Sequence, residues 1–411
     1  MKDKTIQAFI SEHREDDVRK LAFEGQHFPH INMPFALEQI QGWQTARLKL
    51  PMWAAIDDIV YPPHINMEQC SSEVTARYKN AILAQALGAV DGAKTLVDLT
   101  GGFGVDFSFM SQGFERAVYV ERSEQLCDLA SHNFALLGLT RSEVACGDGV
   151  DFLHGLPRCE NTPGTTVIYL DPARRGDHGQ KVFGLSDCQP DVTLLRDELM
   201  DKADVVLLKL SPMLDVYAAL SSLASTGCGV EVHIVSTAGE CKELLLLLTH
   251  NDTPLRVVCV NDDEIFAYSP ISKDDHHPVA PLCDSIDSLC GILLVPNASI
   301  MKAGCFAELA SHFGLLMLDP SSHLFVAPRP VSGFPGRQFS ITGVSSMNKR
   351  ELRDMFGQMN QANVAVRNFP LSVAELRRRL KLRDGGNDYL FATTCPGKHI
   401  IVLCHRIAGT E

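Results

Sequence analysis

Three acidic residues stand at the ends of three successive apolar runs. With one glycine-rich loop, they could hold a small ligand that carries positive charge. The first run ends Val97-Asp98-Leu99-Thr100-Gly101-Gly102-Phe103-Gly104. Gly101, Gly102 and Gly104 permit a tight turn and let a ligand lie against bare backbone, because no Cβ intervenes. The second run ends at Glu121, 23 residues after Asp98, a separation at which a carboxylate suits ribose hydroxyls. The third ends Cys146-Gly147-Asp148. Ligands of parallel α/β sheets bind outside the carboxyl ends of the strands, so three acids on one rim describe a site. A dinucleotide fits poorly, because its fingerprint wants a third glycine where Phe107 stands. An acidic loop also suits an ammonium or sulfonium better than a pyrophosphate.

The elements that must position these residues are readable from periodicity. Runs rich in Val, Ile and Leu at 95–99, 117–120, 143–146, 167–170, 205–208, 230–235 and 255–260 read as strands. Helical patterns fall between them, near 104–111, 124–137, 191–200, 214–224 and 240–249. Strands apolar on both faces and separated by helices indicate an α/β fold with a mostly parallel sheet covered on both sides. Residues 1–63 read as a helical region, with Ser11 capping a helix over 13–23 and a second helix over 35–48. Breaks at Leu50-Pro51-Met52-Trp53 and Tyr61-Pro62-Pro63 suggest a linker, after which Ser72 caps a helix to Leu87. The sheet domain then occupies 64–280. A strand at 291–296 and a helix at 302–313 suggest a small α+β unit. The proline- and glycine-rich stretch from Pro328 to Gly336 precedes a last module.

Charge divides along the chain. The net charge is −13. From Arg329 onward there are 13 Lys and Arg against 6 Asp and Glu, so the rest holds 24 of the 37 basic and 44 of the 50 acidic residues. A basic module on an acidic body is the asymmetry expected when one part binds nucleic acid. Within it, Ser372 with Glu375 three residues on predicts a capped helix over 372–382. Val373, Leu376 and Leu380 fall on its inner face. Arg377, Arg378 and Lys381 fall on outer faces, and Arg367 and Arg383 flank it. Such a row could track phosphates.

The 13 cysteines include no Cys-x-x-Cys pair, so they read as reduced thiols, and no metal is expected. His276 and His277 read as a solvated loop pair. The start lacks a secretory pattern, and no run approaches the roughly 20 apolar residues of a membrane helix, so a cytoplasmic protein without a membrane partner is expected.

At this point the motifs become recognisable. Asp98-Leu99-Thr100-Gly101-Gly102-Phe103-Gly104-Val105-Asp106 resembles motif I of class I S-adenosylmethionine-dependent methyltransferases. More specifically, the chain resembles the bacterial family that joins this catalytic domain to a C-terminal THUMP-like domain. The supporting stretches are 68–76, 170–176, 208–215, 334–339, 366–370 and 384–389. The resemblance implies a Rossmann-like, seven-stranded sheet, a small ferredoxin-like domain over 283–327 and a THUMP-like domain over 329–407. It also implies S-adenosyl-L-methionine as cofactor. Asp98, Thr100 and the three loop glycines would hold its methionine part, Glu121 its ribose and Asp148 its adenine amino group. Because THUMP domains are RNA-binding modules, the resemblance further suggests RNA as partner.

The transfer step falls at the fourth strand's end, Asp171-Pro172-Ala173-Arg174. Amino-methylating members of the class carry here an acid or amide followed by Pro-Pro-aromatic, which aims an amine lone pair at the methyl group. Asp171 and Pro172 fit that pattern. Ala173 and Arg174 do not, although an Arg174 guanidinium can stack on a base or pair with phosphate. Lys209, at the end of the fifth strand, is a further candidate, and no cysteine follows it to serve as nucleophile. The expectation is methyl transfer to a base nitrogen of RNA. The alternatives are a non-catalytic protein that senses or holds S-adenosylmethionine, and a methyltransferase acting on a protein or small molecule.

Overall fold

The computed structural model describes residues 4–88, 92–174, 184–223, 228–251, 253–270, 279–286, 289–357 and 359–407. The chain divides into two compact units, 1–230 with 245–253, and 231–244 with 254–411.

The first unit begins with helices α1 (Lys4–His13), α2 (Val18–Phe23), α3 (Met33–Lys49), α4 (Pro51–Ala54), α5 (His64–Gln69) and α6 (Glu73–Leu87). Ser11 lies inside α1 and is not a cap. Asp17 caps α2 instead, its carboxylate accepting from the Arg19 and Lys20 N–H groups. The expected linker is packed structure. Trp53 and Tyr61 are buried with Phe103, Val105 and Phe109, because a Trp and a Tyr bury too much apolar surface to remain in a tether. Ser72 caps α6 as expected, its hydroxyl accepting from Thr75 N–H.

Five parallel strands follow: β1 (Lys94–Asp98), β2 (Arg116–Glu121), β3 (Ser142–Cys146), β4 (Thr165–Leu170) and, after the short pair β5 (Ala173–Arg174) and β6 (Cys188–Gln189), β7 (Val205–Leu210). Their order is β3-β2-β1-β4-β7, so the chain order reverses beside β1. Between them run α7 (Val105–Met110), α8 (Glu124–Leu136), α9 (Gly149–Gly155) and α10 (Val192–Lys202), and α11 (Val216–Leu223) follows β7. Helices in these connections cover a sheet whose central strands are buried on both faces.

Next come β8 (Gly229–Thr237) and β9 (Glu240–Thr249), each shared between the two units. Residues 240–249, expected as a helix, are strand β9. Periodicity cannot separate a buried helix from a buried strand in the run Leu244–Leu248. The turn decides: Ala238 and Gly239 both have positive φ, as a two-residue hairpin connection requires.

In the second unit, β10 (Arg256–Asn261) pairs in parallel with β8 and antiparallel with β11 (Glu264–Tyr268). There follow β12 (Ile292–Pro296), α12 (Ala298–Ala303), α13 (Phe306–Phe313), β13 (Leu316–Met317) and β14 (Phe325–Ala327). The single helix expected over 302–313 is divided, because Gly304 takes a left-handed conformation that ends α12. The rest is β15 (Gly336–Ser346), α14 (Lys349–Phe356), β16 (Asn363–Val366), α15 (Val373–Leu380), β17 (Asp388–Cys395) and β18 (Lys398–Arg406). One sheet, ordered β13-β14-β12-β15-β18-β17-β16, carries the strands from β12 onward. Alternation along β17 and β18 sends Phe391, Ile400 and Val402 to one core and Leu390, Ala392 and Ile401 to the other, beneath α14 and α15.

All thirteen cysteines are free thiols. Among the described residues no helix is long and apolar enough to cross a membrane, and no group of three or more His, Cys, Asp or Glu is placed to hold a metal. His276 and His277 lie outside the described residues.

Candidate functional site

The site lies at the carboxyl ends of β1, β2, β4 and β7. Asp98 closes β1 and is almost fully buried. Its Oδ1 accepts from the Thr100 N–H at 2.9 Å. Burial pushes the Asp98 carboxyl well above the usual carboxylate range. The Thr100 N–H offsets this in part, while the like charges of Asp106, Asp171 and Glu121 add to it.

The glycine loop is cramped where glycine is needed. A Cβ on Gly101 would sit 2.2 Å from the Tyr119 ring, and one on Gly104, at φ +82°, would sit 2.7 Å from Phe134. The Tyr119 hydroxyl donates to the Gly102 carbonyl at 2.5 Å, so β2 holds the loop from below. Glu121 holds it from the side. Its Oε2 accepts from Gly102 N–H and its Oε1 from Ser123 N–H, both at 2.9 Å. An ionised carboxylate offers about four acceptor positions, so both oxygens retain capacity for hydroxyl donors. Asp148 is exposed and caps α9, its Oδ1 accepting from Val150 N–H at 2.8 Å and from Asp151 N–H at 3.3 Å. Gly149 beside it, which the sequence reading passed over, cannot carry a side chain, because a Cβ would lie 2.1 Å from the Leu99 carbonyl oxygen.

The second set of residues joins the first through Thr100. Its hydroxyl accepts from the Asp171 N–H at 2.7 Å and lies 3.4 Å from Asp98 Oδ1. Asp171, partly exposed, receives the Lys209 ammonium on Oδ2 at 2.6 Å. Strands β4 and β7 run in parallel with Leu170 opposite Leu208, which brings these two side chains together. Pro172 is buried. The backbone of Arg174 pairs with Cys188 in the β5–β6 ladder, and its side chain lies outside the description.

Behind Lys209 is a charged cluster that sequence reasoning missed. Asp106 on α7 and Lys79 on α6 are both buried, with Nζ 3.0 Å from Oδ1 in an ionic contact that lacks hydrogen-bond geometry. Asp106 Oδ2 accepts from the Ser71 and Tyr169 hydroxyls, each at 2.8 Å, and lies 3.5 Å from Lys209 Nζ. Burial opposes the Asp106 charge. Lys79, Lys209 and the two hydroxyls outweigh it and hold this carboxyl below the usual range. A signal was present in the sequence, since Lys79 shares the inward helical phase of Thr75, Ala76, Ile82 and Leu83.

The basic residues of the last module form no comparable cluster. Ser372 and Glu375 make the expected capping box on α15, and Leu376 is its one fully buried residue. Arg378, Lys381 and Arg383 are exposed, and Arg367 is half-buried. Lys381 lies just past the helix in a left-handed conformation. Arg377 is paired with Asp384, and Arg383 reaches Asn360 at 3.5 Å.

These features have relatives. Residues 293–335 match the ferredoxin-like domain model and 336–406 the THUMP domain-like model. A crystal structure of a Porphyromonas gingivalis W83 protein assigned as a methyltransferase is 30% identical, with a TM-score of 0.81 over 98% of this chain and 97% of that one. Ribosomal RNA small subunit methyltransferase J of Bdellovibrio bacteriovorus is 34% identical over 102 residues, 23% of this chain. The chain spans about 38% of the length of that curated relative. The fold is that of a class I methyltransferase. The chain belongs to the bacterial family of S-adenosylmethionine-dependent methyltransferases with a C-terminal THUMP-like domain.

Proposed function

We propose that this enzyme transfers a methyl group to a base nitrogen of RNA, with Asp171 receiving the acceptor amine. The observation that carries this reading is the Thr100 hydroxyl, which links the Asp171 backbone to the Asp98 loop and so couples acceptor and donor positions. The residues fit S-adenosylmethionine. Gly101 and Gly104 lie so close to the Tyr119 and Phe134 rings that a Cβ would clash, which keeps the loop bare backbone, and Asp98 is a buried acid whose charge a cationic ligand would restore. Asp98 and the loop of Thr100, Gly101, Gly102 and Gly104 would hold the methionine part, Glu121 the ribose and Asp148 the adenine edge. The bound donor supplies an electrophilic methyl group on a sulfonium.

The chain's own task is then positioning. The Asp171 carboxylate and the Pro172 carbonyl accept the amine N–H groups and aim the nitrogen lone pair in line. As the nitrogen gains positive charge, Asp171 stabilises it and accepts the proton it sheds. Lys209 fixes the Asp171 carboxylate in place. An RNA acceptor is supported by the exposed cations of the THUMP-like module and by the partial likeness to a ribosomal RNA methyltransferase. The test is transfer of a labelled methyl group to total RNA from a strain lacking the protein, with fractionation of the product. Donor binding without labelled RNA overturns the RNA reading.

A further inference from the structure

We infer that Asp106, with its buried partner Lys79, is a positioning unit that holds Lys209 against Asp171 and makes the helical layer before β1 part of the reactive centre. The inference rests on the role proposed for Asp171. Asp106 draws together four neighbours from separate segments: Lys79 on α6, Ser71 in the turn before it, Tyr169 on β4 and Lys209 on β7. Lys209 also reaches Asp171. A flexible four-carbon side chain can point its ammonium in many directions, and a partner on each side reduces that freedom. Asp171 on the open side and Asp106 on the buried side are those partners.

The charges balance within the cluster, with two ammonium groups against two carboxylates. Lys79 explains why Asp106 remains anionic at full burial, where an unpaired carboxylate would take up a proton. Lys79 itself donates to the Ser71 hydroxyl at 3.1 Å and to the Thr75 carbonyl at 3.4 Å, so α6 and the 70–72 turn set its position. The chain of causes runs from α6 through Lys79 and Asp106 to Lys209, and ends at the acid that receives the acceptor.

Two measurements separate this role from mere stabilisation. Trace acetylation with acetic anhydride, read by mass spectrometry, reports how strongly each lysine is held as ammonium. In Asp106→Asn, Lys209 should react about tenfold faster, the equivalent of roughly one pKa unit. Unchanged Lys209 reactivity overturns the link from Asp106 to Lys209, and this readout needs no RNA. The second measurement compares Lys79→Met and Asp106→Asn with the double variant. Each single change removes one charge of the buried Lys79–Asp106 contact and should lower the melting temperature, and neutralising both should restore most of it. Methyl transfer should stay at least about tenfold below wild type in the double variant, because Lys209 still lacks its inner partner. Activity returning together with stability would show a purely structural pair and overturn the proposal. Absence of RNA methylation by the wild-type protein would instead remove the acceptor reading and leave the acetylation result standing.

Discussion

The carboxyl edge of the β1–β7 sheet and the outer face of α15 both carry charge, but they use it in opposite ways. At the sheet edge Asp98, Lys209 and Asp106 are wholly or largely buried and Asp171 is partly exposed, and contacts of 2.6–3.5 Å run from Asp98 through Thr100 to Asp171, Lys209 and Asp106. On α15, Arg378 and Arg379 stand exposed, and the cap residue Lys381 is exposed beside them. A low-dielectric edge makes each charge strong and each misplacement costly. An exposed row is screened by salt and tolerant of position, which suits the tracking of a flexible polyanion. One region fits discrimination among atoms, the other capture of a chain.

The most severe break in this comparison is at Asp171. Asp171→Ala should lower methyl transfer about a hundredfold or more, since it removes the group proposed to aim the acceptor. Donor affinity should change little, as titration calorimetry can check. A variant with full transfer activity would place the reaction centre elsewhere. Glu121→Ala comes next. It removes a carboxylate that braces the glycine loop and is assigned to the ribose, and it should weaken S-adenosylmethionine by about 1–3 kcal/mol. Unchanged affinity in calorimetry would remove the ribose assignment.

Donor binding should also depend on pH through Asp98. Its carboxyl titrates above the ordinary range in the free protein, and a cationic ligand alongside favours the ionised form. Binding therefore releases a proton. Affinity is full above the raised Asp98 pKa and falls as the pH drops through it, by at most about tenfold per pH unit. Calorimetry in buffers of different ionisation heat measures that proton directly. No proton release near the raised pKa would mean that Asp98 does not face the cationic part of the donor.

What could be read in the sequence follows the same division. Local signals survived folding intact: the capping box of Ser372 and Glu375, the cap at Ser72, and the acids closing β1 and β2. Each depends on residues a few positions apart, where backbone geometry alone sets the contact. The inner half of the centre was legible only in pieces: Lys209 stood out at a strand end and Lys79 had an inward helical phase, but their meeting with Asp106 arises only after strands and helices far apart in sequence have packed. Strand β9 was missed for a related reason. The apolar run Leu244–Leu248 fits either secondary structure, and its pairing is settled by a turn whose Ala238 gives no glycine-like warning.

The smallest effect concerns the exposed row, and it depends on which cation is changed. Arg377 is tied to Asp384 within the module, so changing it tests the fold of that module more than its surface. Arg378 and Lys381 are exposed, and reversing both to Glu leaves the Ser372–Glu375 cap and the buried Leu376 in place. Each lost phosphate contact should reduce the slope of log affinity against log salt by roughly one, so the double reversal should flatten it by about two. At physiological salt the loss of RNA affinity should be several-fold, and S-adenosylmethionine binding should be unaffected. Gel-shift titrations at several salt concentrations give both quantities. A lower affinity with an unchanged slope would mean that these two side chains do not lie along phosphates, and the capture surface would have to be sought on another face of the module.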